Sequence, residues 1–173
     1  MTSPSFLRHL ARYNRWQNDS LYGAADQLSD DDRRADRGAF FRSIHNTLLH
    51  ILWADKVWHA RLTGADLPAL PMVNMREADE PTPWTDLRKD RAALDQVICD
   101  WMDSLAPADI DGELTWHSAF AQRTFTQPRA LLFAHMFNHQ THHRGQVHHM
   151  LTTLGLRMTD TDMPFMPPEE MNR

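Results

Sequence analysis

Cysteine is nearly absent: Cys99 stands alone among 173 residues, so no internal disulfide can form and a reducing compartment suits the chain. It falls beside Val97, Ile98 and Trp101 on an amphipathic stretch, the place of a buried structural thiol rather than a nucleophile. Long apolar runs are missing too. Nothing approaches the roughly 18 consecutive apolar residues of a membrane helix. The opening residues, Met1-Thr2-Ser3-Pro4-Ser5, lead into an amphipathic segment without a signal-peptide core, and the expectation is a cytoplasmic protein. There is no basic run. With 18 Lys and Arg against 23 Asp and Glu, the formal charge is −5, which gives nucleic acid no footprint. A Ser-His-Asp order, a Gly-rich phosphate loop and a CxxC pair are all absent. So is Glu-x-x-His, which disfavours the di-iron carboxylate site of ferritin-like bundles.

What is present is enough apolar material for a core, 42% of the residues, in a chain of single-domain length. We expect one domain over 1–173, with a tail from about 158. Apolar residues recur at helical spacing in four segments, near 3–28, 41–63, 84–106 and 127–154. Ser3 or Ser5 can cap the first, and Asn14 near its inward stripe needs a partner if buried. The charged stretch from Leu28 to Gly38 reads as a connection with one helical turn after Ser29. Between the second and third helices, residues 65–83 carry Pro68, Pro71, Pro81 and Pro83 with Met72 and Met75. A crossover of that length is uncommon without a purpose, and walling one end of a pocket is one such purpose. Thr, Trp and Phe within 111–126 allow a short extended pair. The fold class is all-α: a four-helix bundle with a long crossover between helices two and three.

The fourth segment holds more than half of the 11 histidines. Thr126 is a plausible N-cap and Pro128 suits the first turn. Four residues advance a helix by about 400° and about 6 Å, so His135, His139 and His143 form a ladder on one face. Histidines at i, i+4 can reach one metal ion from a single helix. On the second helix His50 lies between Leu49 and Ile51, and an imidazole buried there must be hydrogen-bonded or metal-bound. His45 and His59 fall on other faces of that helix and read as solvent-facing. Imidazole ligation suits zinc, nickel, iron or copper, and not magnesium or calcium.

Three stretches then resemble one known family, the DinB/YfiT-like metalloenzymes. They are Tyr13-Asn14-Arg15-Trp16-Gln17-Asn18, the helix-two run from Ser43 to Trp58 with His50 ahead of Asp55, and His139-Gln140-Thr141-His142-His143-Arg144-Gly145-Gln146. The resemblance implies a divalent ion held by His50, His139 and His143, zinc or nickel first and iron as a further choice. It also implies a homodimer and, from better-understood relatives, a thiol-dependent transferase or isomerase. His135 is the rival ligand, and His142 is a further histidine whose part the motif leaves open. Asn46, Asp55 and Asn14 are candidate acceptors for the ligands' second ring N–H.

Three functions follow. The first is a metal-dependent enzyme, a transferase using a low-molecular-weight thiol or a hydrolase, because three histidines leave open positions on the ion. The second is a non-catalytic metal-binding or ligand-sensing bundle, and the third a metal-free helical interaction module. The partner expected for the first is a small-molecule substrate, with neither nucleic acid nor membrane involved. Substrate choice should lie with residues 65–83, 107–126 and the tail.

Overall fold

The computed structural model describes residues 2–69 and 74–171. Pro71 and Met72 of the expected crossover lie outside the described residues. The chain is mostly helical. Its long helices are α1 (Pro4–Ala25), α3 (Ile44–Thr63), α4 (Trp84–Ser104) and α6 (Arg129–Thr153). Shorter elements are α2 (Asp30–Arg34), α5 (Pro107–Ile110), the strands β1 (Glu113–Ser118) and β2 (Arg123–Pro128), and α7 (Pro168–Met171).

Local chemistry explains where the helices begin and end. Ser3 Oγ accepts from the Phe6 N–H at 3.2 Å, and Ser43 Oγ accepts from the Asn46 N–H at 3.1 Å. Each satisfies an amide that the first helical turn leaves open. Gly64 ends α3 at φ 80°, a conformation with no steric cost for glycine. The expected start of the fourth helix is corrected. Thr126 belongs to β2, where its hydroxyl meets that of Thr115 at 2.7 Å, and α6 begins only after Pro128 with no side-chain cap. The expected extended pair is an antiparallel hairpin in which Trp116 sits opposite Phe125, with the rings stacked at 5.3 Å.

Each long helix packs on two others: α1 on α4 and α6, and α3 on α6 and α4. Leu7, Ile44, Leu48, Leu87, Met102, Phe133, Val147 and Leu151 form part of one continuous core, each such side chain contributing about 1.5–3 kcal/mol on burial. Cys99 is buried among them, as expected. Polar groups enter this core in connected sets. Arg91 of α4 donates to Asp55 at 2.6 Å and to Asp95 at 2.8 Å, while Asn18 of α1 donates to Asp95 at 3.0 Å. Asn14 donates to Gln140 of α6, the partner its burial requires. Among the described residues no helix is long and apolar enough to cross a membrane.

Two irregular segments are pinned rather than loose. Asn46 donates to the carbonyls of Met75 and Ala78 at 3.1 and 3.2 Å, and Arg42 donates to that of Glu77 at 3.0 Å. These bonds fix the second half of the crossover against the start of α3. The tail lies along α1: Tyr13 donates to the Thr161 carbonyl at 2.6 Å, Gln17 to that of Asp160 at 2.8 Å, and Ser20 Oγ accepts from the Thr159 N–H at 2.8 Å.

Candidate metal centre

His50 comes from α3, and His139 and His143 from successive turns of α6. The packing of α3 on α6 brings one ring nitrogen of each to within 4.8 Å of the other two. The Nε2 atoms of His50 and His139 are 3.2 Å apart. Two nitrogens bonded to one zinc at about 2.0–2.1 Å, at a near-tetrahedral angle, lie about 3.3–3.4 Å apart. The donor set therefore suits a divalent transition ion in chemistry, and the His50–His139 pair also has the spacing.

The surroundings hold these imidazoles neutral, the form that carries a lone pair. Burial, reinforced by repulsion from His139 and His143, pushes the His50 pKa down to about 3. Burial and the neighbouring histidines push His139 down to about 4. His143, only 8% exposed, is lowered mainly by burial. Two contacts orient the rings. Phe41 stacks on His50 at 3.9 Å. His143 Nδ1 lies 2.9 Å from Gln146 Oε1, a contact that suits an Nδ1–H donor and leaves Nε2 for a ligand bond.

The expected acceptors are corrected here. Asn46 is committed to the crossover, Asp55 to Arg91 and Asn14 to Gln140, and Gln146 serves a ligand instead. It stands one turn after His142 and three residues after His143, a spacing that could have singled it out. His139 Nδ1 is buried without a hydrogen-bond partner among the described residues. His135 and His142 fall outside the ligand cluster. His135 sets its ring against Trp58 at 4.9 Å, and His142 is exposed beside His143.

The solvent-facing reading of His45 and His59 fails. His45 is fully buried, because α2 and the crossover cover it: Arg34 of α2 donates to the carbonyls of Glu80 and Thr82, both at 2.8 Å. Among the described residues neither ring nitrogen of His45 has a hydrogen-bond partner. His59 is half-buried and sets its ring edge-on to Trp101 at 5.0 Å.

His50 and His143 line a cleft of about 720 Å³. Its other walls are Phe40, Phe41, Trp53, the crossover residues Asn74, Met75, Arg76 and Glu77, and the hairpin tip at Ala119 and Phe120. The crossover thus does wall a pocket. Arg76 lies over the Phe40 ring at 4.2 Å, and Phe120 is fully exposed. The cleft is mostly apolar with a few polar groups, as small-molecule sites are.

The fold and the family are shown by comparison with known proteins. A crystal structure of a DinB-like protein from Bacillus cereus ATCC 10987, 16% identical, matches with a TM-score of 0.59 over 84% of this chain and 90% of that one, which shows the fold. A search of curated proteins finds no match. The family model described as the DinB family matches residues 1–171, and the chain belongs to the DinB family.

Proposed function

We propose that the protein is a metal-dependent enzyme in which His50, His139 and His143 hold one divalent transition ion, zinc or nickel foremost, above a small-molecule cleft. The observation that carries this reading is the 3.2 Å approach of two imidazole nitrogens, both on rings whose protonation is suppressed. Such an ion supplies Lewis acidity toward a bound oxygen or thiolate. The chain's own part is to keep three imidazoles unprotonated, to fix the His143 tautomer through Gln146, and to exclude water with Phe41 and Met75. Catalysis is favoured over sensing or a purely structural ion because two of the three histidines open onto a cleft of about 720 Å³. A thiol-dependent transfer, with a low-molecular-weight thiol as co-substrate, is the preferred reaction, and hydrolysis the next. A homodimer belongs to the same reading.

The test is metal analysis of the purified protein and of single alanine variants, followed by a substrate panel with and without added thiol. Metal should disappear with His50→Ala, His139→Ala and His143→Ala and persist with His135→Ala. A site emptied by His135→Ala but still filled in His143→Ala would refute the ligand set. A direct hydrogen bond between His50 and His139 is the competing account, and it predicts a protein that never takes up metal.

A further inference from the structure

Aromatic rings make up much of the cleft at the histidines, and they run outward from the ligands in a connected series. The Phe41 ring lies 5.5 Å from that of His143 and 4.9 Å from that of Phe40. The Trp53 ring stands 6.5 Å from that of His50. Its Nε1–H already donates to the Ala69 carbonyl at 3.0 Å, so Trp53 offers the cleft apolar surface and no free donor. Phe120 joins the lining from the hairpin tip.

Nothing within the chain accounts for Phe120. Its relative exposure is 101%, while Phe165, the next most exposed large apolar side chain among the described residues, stands at 63%. The turn that carries it is held by its own bonds: the Ala121 N–H donates to Ser118 Oγ at 3.2 Å, and Gln122 donates to the Ala119 carbonyl. A ring left wholly in water adds nothing to the core. At the mouth of a cleft it can cover a bound apolar molecule.

Charge narrows the choice of that molecule. The lining holds one cationic side chain, Arg76, and one anionic, Glu77, and the Arg76 guanidinium already lies over the Phe40 ring at 4.2 Å. Neither sign of ligand charge is favoured. Flat rings also gain face and edge contacts with aromatic walls that a saturated body of similar size does not.

We infer that the cleft takes an uncharged aromatic compound as its substrate, with Phe120 as a specificity-determining residue that covers the bound ring. The inference rests on the proposed reading of this cleft as the substrate site, but not on an ion being bound.

The experiment is calorimetric titration of the full chain with 2-naphthol and with its saturated counterpart, decahydro-2-naphthol, in metal-loaded and in chelator-treated protein. Saturable binding of 2-naphthol is expected in both states, tighter than that of the saturated compound by about three- to tenfold. Phe120→Ser should weaken it by a similar factor and Phe120→Trp should retain it. Because the ring is solvated, Phe120→Ser should keep the melting temperature and metal content of the wild type. Absence of 2-naphthol binding, equal binding of the two compounds, or wild-type binding by Phe120→Ser would each overturn the inference. Metal-loaded protein that ignores 2-naphthol sinks this inference and leaves the metal centre standing. Binding of 2-naphthol by a protein that never takes up metal does the reverse.

Discussion

Two sets of buried polar side chains occupy the same helices, and they differ in how their charges and lone pairs are met. Arg91 lies between Asp55 and Asp95, bonded to both, with Asn18 completing Asp95. That set pairs opposite charges and draws α1, α3 and α4 together, although Asp55 Oδ1 and Arg91 Nε find no hydrogen-bond partner among the described residues. The imidazoles of His50, His139 and His143 do the opposite. One ring nitrogen from each converges within 4.8 Å of the others, on rings that burial keeps in the neutral, lone-pair-bearing form. A set that pairs its charges across three helices holds those helices in place. A set whose donor atoms converge on one point has the arrangement the proposed ion needs.

The sharpest way to break this contrast is Arg91→Ala. Removing one member of a buried pair strands the others, at about 3–5 kcal/mol, read from denaturant unfolding. The variant's folded fraction should still bind metal as the wild type does. A change below about 1 kcal/mol would show that the acidic pair is hydrated rather than closed.

His45 is the intermediate case, buried without partners yet without convergent neighbours. Burial, with Arg34 adding to the effect, depresses its pKa from 6.5 to about 4. Protonation therefore favours the unfolded chain. Its contribution is fully present above about pH 6.5 and is lost as pH falls toward 4, by about 3 kcal/mol in all. In chelator-treated protein, His45→Leu should flatten that part of the stability profile and leave neutral-pH stability equal or higher. An unchanged acid slope would locate the titration elsewhere.

The smallest expected effect comes from Gln146→Ala. Loss of the hydrogen bond to His143 Nδ1 should weaken metal affinity about 10–100-fold with little change in metal-free stability. Unaltered affinity would mean that Phe41 and helix packing alone orient the ligands.

Much of this was legible in the chain. Helical periodicity located the four long helices; the i, i+4 ladder put His135, His139 and His143 on one face, and the family resemblance singled out His139 and His143 with His50, the three that converge. The errors share a cause: a helix read by itself does not reveal what a distant segment lays over it. His45 sits on a face that would meet solvent if α2 and the crossover did not cover it. Thr126 is a good helix cap by type, but pairing with Thr115 across the hairpin claims it first. Asp55 looked available to a ligand until Arg91, 36 residues away, was placed beside it.

The rim of the cleft is supplied almost wholly by connections: Phe40 before α3, Asn74 to Glu77 of the crossover, and Phe120 at the hairpin tip. The histidines come from helices buried in the core. Substitutions in the rim segments can therefore alter which molecules are admitted while the helices, and the energy of folding stored in them, stay as they are. Descendants of one ancestral chain can diverge in what the cleft admits at low risk, because selection can act on the doorway without reworking the hearth.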